Sequence, residues 1–274
     1  MIVDGRLQLR VQRYGWDRAS ARYEYLWREV LAPATRGVLR LARLQPGERV
    51  LDVACGSGVL TRAALAAVGP SGEAVGCDVS AGMVAVAQAA SIGCHFLRTD
   101  AQAVGEVLPP GHFDVVLCGL GLMYMPDPEA SLAAMARCLR PGGRLVVSVW
   151  GERSACGWSG VFPIVDARVQ SEVCPMFFRL GGGDTLRAAM SGAGLQGVHT
   201  ERVATTIDYA DATTACDAAF EGGPVALAYG RFDASTRAAV RAEYLESLQH
   251  WARADGFAVP GEFVLGMGER APAL

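Results

Sequence analysis

From residue 47 to about residue 150, short apolar runs bounded by turn residues alternate with segments of helical periodicity. The apolar runs predict five strands: Arg49 to Val53, Glu73 to Cys77, Cys94 to Arg98, Phe113 to Cys118 and Arg144 to Val149. These runs are too apolar for a sheet with one face in water. We therefore expect a parallel sheet that is covered by helices on both faces.

The segments between these runs favour helices at Val59 to Val68, Ala81 to Ser91 and Pro128 to Leu139, with a short polar loop region around Ala101 to Val107. Two later strands are expected at Gly197 to Tyr209 and Gly261 to Gly268. The pattern predicts an α/β fold of the Rossmann-like, doubly wound type. Its sheet would have seven strands, most of them parallel.

The regions flanking this alternating core predict additional helices. Asp17 to Leu44 is rich in aromatic residues and arginine at helical spacing, which favours one or two helices before the break at Pro46 and Gly47. After Trp150, helices are predicted at Val161 to Val173, at Thr185 to Ala193 and twice within Thr213 to Asp255. We expect an N-terminal helical lid over residues 1–45 and a main domain over 46–274, with substrate-cap insertions at about 151–183 and 211–257.

Composition narrows the function classes. The 274 residues are 51% hydrophobic, enough for one large domain, and the net charge of −3 lacks the basic excess of a nucleic-acid-binding protein. No apolar run has the length of a membrane span, and the first ten residues have no apolar signal core. We expect a cytoplasmic protein without a nucleic-acid partner, for which a homodimer is compatible with the sequence.

The eight cysteines are scattered along the chain, and no Cys-x-x-Cys pair occurs. Free thiols in apolar surroundings behave as small hydrophobic residues. The spacing therefore predicts reduced cysteines and no metal site.

The stretch VLDVACGSGVLT, from Val50 to Thr61, is a strand, a glycine turn and the start of a helix. A phosphate-binding loop needs a lysine after the second glycine, and none is present. A dinucleotide-binding turn has the pattern Gly-x-Gly-x-x-Gly, but Thr61 takes the third glycine position. That substitution weakens dinucleotide binding without excluding it.

The same stretch resembles the first motif of class I S-adenosylmethionine-dependent methyltransferases, a strand ending in an acidic residue followed by x-x-x-Gly-x-Gly. Asp52, Gly56 and Gly58 occupy its fixed positions. Two glycines allow the backbone to approach the methionyl part of a ligand, and a nearby carboxylate can hold its ammonium group. The resemblance implies S-adenosyl-L-methionine as cofactor.

Four later stretches match the same family in order. Asp78 to Met83 resembles Asp-x-Ser-x-x-Met; a carboxylate there suits the two ribose hydroxyls of adenosine, although NAD would use it equally. The resemblance implies that Val79 and Met83 pack against adenine and that Asp100 and Ala101 contact its edge. The strand at Phe113 and the turn Leu139-Arg140-Pro141-Gly142-Gly143 complete the pattern over residues 46–150.

In an open parallel sheet, ligands bind at the carboxyl ends of the strands. The cofactor would lie over the first three strands, with its methyl group toward the apolar loop from Gly119 to Met125. The expected cofactor-binding residues are Tyr23, Asp52, Ala54, Gly56, Gly58, Asp78, Val79, Met83, Asp100, Ala101 and Cys118. The candidates for the acceptor pocket are Trp16, Trp27, Gly119, Leu120, Met123, Tyr124, Trp150 and Trp158.

These features predict a methyltransferase acting on a small aromatic or apolar acceptor, with oxygen favoured and nitrogen, carbon or sulfur left open. The chain is loosely similar to the ubiquinone and menaquinone biosynthesis group, many of whose relatives act in secondary metabolism. No histidine stands out as a base, and Tyr124 is a weak candidate for a catalytic residue. An NAD(P)-dependent oxidoreductase and a non-catalytic, cofactor-binding module are the alternatives.

Overall fold

The computed structural model describes residues 5–170 and 174–272. The helices are α1 (Gly5–Ala42), α2 (Val59–Val68), α3 (Ala81–Ala89), α4 (Val104–Val107), α5 (Pro128–Cys138), α6 (Val161–Asp166), α7 (Thr185–Gly192), α8 (Ala212–Glu221), α9 (Ala226–Tyr229) and α10 (Ala234–Leu248). The strands are β1 (Arg49–Val53), β2 (Glu73–Asp78), β3 (His95–Arg98), β4 (Phe113–Gly119), β5 (Leu139–Trp150), β6 (Leu195–Tyr209), β7 (Ala252–Arg253) and β8 (Gly256–Arg270).

The sheet has the order β3-β2-β1-β4-β5-β8-β6, and β7 pairs with β8. Strands β1 to β5 are parallel, as predicted, whereas β8 runs antiparallel to both β5 and β6. The described sheet has eight strands, so the prediction of seven is wrong. The additional strand, β7, contains two exposed residues and is too short to produce a hydrophobic pattern.

Several element boundaries also differ from the prediction. β5 begins at Leu139 because Leu139 pairs with Phe113, and a register shift follows before Arg144 resumes regular pairing with Val115. The predicted helix from residue 161 ends at Asp166; residues 171–173 of that prediction lie outside the described residues. Three helices, instead of two, occupy the stretch from residue 213 to residue 255.

One helix of 38 residues, α1, accounts for the aromatic N-terminal region and contains Pro33. It packs against α3, α8 and α9, and it also contacts β4 and β5. Val38, Leu41 and Ala42 of α1 share a core cluster with Val115, Val146 and Leu265, so the C-terminal half of α1 covers one face of the sheet. The proposed boundaries of a lid and two caps stay predictions.

No helix in the described part of the chain has the length and apolar character needed to cross a membrane. All eight cysteines are free thiols, and all except Cys94 are buried. Within residues 5–170 and 174–272, no group of three or more His, Cys, Asp or Glu side chains could hold a metal ion.

Candidate active site

The glycine turn after β1 is built from left-handed backbone. Ala54, Gly56 and Gly58 have φ angles of 59°, 54° and 79°. An alanine in this conformation is strained, whereas glycine adopts it freely. The Cys55 amide donates to the carbonyl oxygen of Cys77 at 3.0 Å, which ties the turn to the end of β2.

Asp78 at the end of β2 joins this turn to the next one. Its Oδ2 accepts a hydrogen bond from the Gly56 amide and its Oδ1 accepts one from the Ser80 amide, both at 2.9 Å. Burial raises the pKa of the Asp78 carboxyl group, and the two amide hydrogen bonds oppose that shift. The side chain is therefore fixed in position by main-chain groups on both sides.

Asp52, near the end of β1, is 1% exposed. Thr61 Oγ1 donates to Asp52 Oδ2 at 2.6 Å, while Oδ1 has no hydrogen-bond partner among the described residues. Burial raises the pKa of Asp52 to about 7, and the nearby negative charge of Asp78 adds to the shift. Asp52 thus lies beneath the glycine turn as a carboxyl group that titrates near neutral pH.

A cavity of about 1210 Å³, including its open mouth, lies at the carboxyl ends of β1 to β4 and beneath α1. We divide its wall into two halves. The polar half, near β1, β2 and β3, is lined by Tyr23, Ala54, Gly56, Asp78, Val79, Met83, Thr99, Asp100 and Ala101. The aromatic half, near β4 and β5, includes Trp16, Trp27, Gly119, Leu120, Met123, Tyr124, Trp150, Trp158, Phe162, Phe177 and Tyr244.

The cavity brings together most of the residues that the sequence singled out. All eight acceptor-pocket candidates line it, as do all the cofactor candidates except three. Asp52, Gly58 and Cys118 do not line this cavity. Asp52 and Cys118 are buried, and a Cβ at Gly58 would lie 3.0 Å from Phe96 Cζ, so these residues support the wall from behind.

The aromatic half of the cavity wall contains rings that contact one another edge-on or in tilted arrangements. Ring centroids are 5.0 Å apart for Trp16 and Tyr124, 5.3 Å for Tyr124 and Phe177, and 5.5 Å for Phe177 and Trp158. The ring of Trp158 also lies 4.8 Å from that of Trp150. Such arrangements are favourable for aromatic side chains.

The sequence did not single out Phe162, Phe177 and Tyr244, which line this half of the cavity, although they lie within the segments expected to form substrate caps. They belong to the region after Trp150, where the hydrophobic pattern is loose. The adjacent pair Phe177 and Phe178 was the only local signal, and it carries no spacing that points to a site.

Tyr124 is half-buried between Trp16 and Phe177. Burial raises the pKa of the Tyr124 hydroxyl well above its usual value. The hydroxyl therefore stays protonated at neutral pH and can donate a hydrogen bond, but it cannot act as a base.

Charged and polar contacts hold α1 over the cavity. Asp17 Oδ1 accepts hydrogen bonds from Ser80 Oγ at 2.6 Å and from the Gly82 amide at 3.0 Å. A Cβ on Gly82 would lie 2.7 Å from Ser20 Oγ, so glycine permits this close approach. Arg22 pairs with two carboxylates of α8, those of Asp217 and Glu221.

Residues 50–143 match the family model described as a methyltransferase domain. The ubiquinone/menaquinone biosynthesis C-methyltransferase UbiE of Ectopseudomonas mendocina is 38% identical over 118 residues, covering 41% of this chain and 45% of that protein. UbiE of Pseudomonas aeruginosa PAO1 is 33% identical over 145 residues, covering 51% of this chain and 53% of its own length. The chain spans about half the length of these curated relatives.

Solved structures of low identity share the fold. The complex of the Haloferax volcanii Trm112 methyltransferase activator with a putative methyltransferase matches with a TM-score of 0.63 and 22% identity, over 96% of this chain and 98% of the other. Phosphoethanolamine N-methyltransferase 2 of Haemonchus contortus, solved with S-adenosylhomocysteine, matches with a TM-score of 0.59 and 16% identity, over 93% of this chain and 58% of the other.

The ordered motifs, the sheet topology and these similarities agree on one class. Over residues 50–143 the chain is similar to the class I S-adenosylmethionine-dependent methyltransferases. Within that class it is similar to the UbiE group.

Proposed function

We propose that this protein transfers a methyl group from S-adenosyl-L-methionine to a small aromatic or apolar molecule. The observation that carries the proposal is the continuity of one cavity from the polar half, which suits the cofactor, to the aromatic half, which suits an acceptor. A non-catalytic binding module would need only the first half. A cavity with both halves supports a reaction between two ligands.

The polar half fits the parts of the proposed cofactor. The carboxylate of Asp78 is suited to the ribose hydroxyls, Asp100 and Ala101 to the adenine edge, and Val79 and Met83 to its faces. The left-handed turn at Gly56 lets main-chain atoms approach the methionyl group, and Tyr23 covers it from α1. Asp52, Gly58 and Cys118 do not line the cavity and would support the glycine turn and the strand ends from behind.

The bound cofactor supplies a methyl group on a positively charged sulfur, so that transfer forms a bond from the acceptor to carbon, breaks the sulfur–carbon bond and leaves S-adenosylhomocysteine. The chain's contribution is to align the two ligands and to exclude water. The wall of Trp16, Tyr124 and Phe177 serves both purposes, because α1 places one of its rings over the cavity.

Oxygen is the first candidate for the acceptor atom, and carbon is the second. An O–H acceptor loses its proton during transfer, yet no histidine lines the cavity among the described residues and the chain contains no lysine. The proton of an oxygen acceptor would therefore have to leave through the open mouth of the cavity to bulk water. An electron-rich ring carbon loses its proton after methylation, which reduces the need for a base, and the relatives are named C-methyltransferases.

Calorimetry with S-adenosylhomocysteine and with NAD tests the cofactor. Incubation with S-adenosylmethionine and a set of phenolic, quinoid and amine compounds, followed by mass spectrometry, tests the transfer. Proton NMR of a product distinguishes a methyl group on oxygen from one on carbon. Binding of NAD without binding of S-adenosylhomocysteine would contradict the proposal. Binding of S-adenosylhomocysteine with no product from any compound would favour the non-catalytic alternative.

A place in secondary metabolism, a cytoplasmic location and a homodimeric state are further proposals. The first follows from the apolar acceptor half and the loose similarity to small-molecule methyltransferases. The oligomeric state is tested by sedimentation of the purified chain.

A further inference from the structure

One carboxylate of α1 contacts the turn that follows the proposed ribose-binding residue. Asp17 Oδ1 accepts hydrogen bonds from Ser80 Oγ at 2.6 Å and from the Gly82 amide at 3.0 Å. Ser80 is the N-cap of α3, and its Oγ also accepts from the Met83 amide at 3.1 Å. Two main-chain amides in the first turn of α3 are therefore satisfied by side chains, and one of these side chains comes from α1.

The main chain of Ser80 extends this contact to Asp78. The Ser80 amide donates to Asp78 Oδ1, and the Gly56 amide donates to Asp78 Oδ2, both at 2.9 Å. A continuous series of hydrogen bonds thus runs from Asp17 through Ser80 and Asp78 to the glycine turn after β1. Ser80 is 0% exposed and Asp78 is 8% exposed, so water competes little for these bonds.

Close packing of α1 against α3 fixes the position of Asp17. A Cβ on Gly82 would lie 2.7 Å from Ser20 Oγ and 3.3 Å from Asp17 Cα, so a side chain at this position would push the two helices apart. Ser20 Oγ donates to the main-chain carbonyl of Asp17 at 2.9 Å. The reach of the Asp17 carboxylate to the turn is therefore set by the packing of two helices.

We infer that Asp17 is a positioning residue for the cofactor site: by fixing Ser80, it holds the carboxylate of Asp78 in the orientation that receives the ribose hydroxyls. Asp17 does not line the cavity, so it acts through Ser80 and Asp78 and not on the ligand. A binding group keeps its affinity only while its own hydrogen bonds hold it near the productive geometry. The inference rests on the proposed function, because that function assigns Asp78 to the ribose.

The first test is calorimetry with two ligands, S-adenosylhomocysteine and its 2′,3′-dideoxy analogue. The ratio of their affinities measures the contribution of the ribose hydroxyls. Asp17→Ala should reduce this ratio about tenfold, which corresponds to the loss of one hydrogen bond to a charged group. Asp17→Asn should retain most of the ratio, because its amide oxygen can accept from both donors. A role in stability alone would leave the ratio unchanged, and an unchanged ratio in Asp17→Ala would overturn the inference.

Arg40→Ala is the control for a general loosening of α1. Arg40 lies near the C-terminal end of the same helix, pairs with Glu201 of β6 and does not line the cavity. Its removal takes away another anchor of α1 but no member of the hydrogen-bond series, so the ligand ratio should equal that of the unaltered protein. A reduction as large as that in Asp17→Ala would assign the effect to the docking of α1 and overturn the inference.

Proton–nitrogen NMR of the ligand-free protein tests the positioning role without the cofactor. The Gly56 amide donates to Asp78, so its signal responds to Asp17 through Asp78. The signal should move upfield in Asp17→Ala, because the hydrogen bond weakens, and keep its position in Arg40→Ala. An unchanged Gly56 signal in Asp17→Ala would overturn the inference.

The two measurements together separate this inference from the proposed function. A shifted Gly56 signal in a protein that does not bind S-adenosylhomocysteine would support the positioning of Asp78 and contradict the proposed cofactor. If Asp17→Ala does not fold, Ser80→Ala breaks the same series at its next member and should give the same reduction of the ligand ratio and the same shift of the Gly56 signal. Absence of both effects in Ser80→Ala would overturn the inference.

Discussion

The two halves of the cavity are built in different ways. The polar half is formed by successive strand ends and turns within residues 54–101, apart from Tyr23 of α1, and main-chain amides hold its central carboxylate, Asp78. The aromatic half collects side chains from α1, from the loop after β4 and from segments as distant as Tyr244 on α10. The polar half is formed mainly by residues that are close in sequence and held by main-chain groups. The aromatic half is formed by side chains from segments that are far apart in sequence.

This difference implies different responses to mutation. In the polar half, a substitution should alter cofactor affinity through one hydrogen bond or one backbone angle. In the aromatic half, a substitution should alter packing first, because Tyr124, Trp158 and Phe177 each contact at least two other rings. We therefore expect substitutions in the polar half to lower mainly the affinity for the cofactor, and substitutions in the aromatic half to lower mainly the folding stability.

The largest expected effect is on folding. Phe177 is 1% exposed and its ring contacts those of Tyr124, Trp158, Phe162 and Phe178. Phe177→Ala should lower the free energy of unfolding by about 3–5 kcal/mol because it leaves a cavity in the wall. Urea denaturation measures the loss. The half-buried neighbour provides the control Phe178→Ala, which should cost less; an equal cost would contradict a special role for Phe177 in the wall.

In the polar half, the largest effect of a substitution should be on the affinity for S-adenosylhomocysteine. Asp78→Ala removes the acceptor that we assign to the ribose hydroxyls, and two hydrogen bonds to a charged group correspond to a loss of about 100-fold in affinity. Calorimetry with S-adenosylhomocysteine measures it. Asp127→Ala, at the N-terminus of α5, removes a carboxylate that also accepts a main-chain hydrogen bond but does not line the cavity, and it should leave the affinity unchanged. Unchanged affinity in Asp78→Ala would show that the site assignment is wrong.

The different construction of the two halves also explains why the sequence predicted the polar half more completely than the aromatic half. The turn at Gly56 and the carboxylates at Asp78 and Asp100 follow strands whose ends converge at one edge of a parallel sheet, so their proximity is dictated locally. Phe177 lies in a segment with no regular pattern, and Tyr244 lies on a helix, α10, whose periodicity does not show which elements it packs against. The two-residue strand β7 was missed because its pairing depends on β8. Periodicity indicates elements, but it carries no information on such contacts.

Alanine substitutions at Gly56 and Gly58 should have different main effects, one on ligand binding and the other on stability. Both have positive φ, so alanine is unfavourable at either by about 1–2 kcal/mol. A Cβ at Gly58 would also lie 3.0 Å from Phe96 and 3.1 Å from Ala87, whereas at Gly56 it would lie 3.7 Å from Tyr23 beside the cavity. Gly58→Ala should therefore have the lower melting temperature, and Gly56→Ala the weaker binding of S-adenosylhomocysteine. The reverse order would contradict the different roles assigned to them.

The smallest effect concerns pH and tests the carboxyl group beneath the polar half. Because burial raises the pKa of Asp52 to about 7, the folded protein holds a proton that the unfolded chain, with a usual pKa near 3.8, releases. The stability contributed by this proton is complete below the unfolded pKa and is lost as pH rises toward and through 7. Asp52→Asn cannot titrate, and its side-chain oxygen can still accept from Thr61 Oγ1. From pH 6 to pH 8, the unaltered protein should lose about 1 kcal/mol more of its unfolding free energy than Asp52→Asn does, measured by urea denaturation. An equal loss in both proteins would show that Asp52 does not change its protonation state between pH 6 and pH 8, and would contradict a raised pKa near 7.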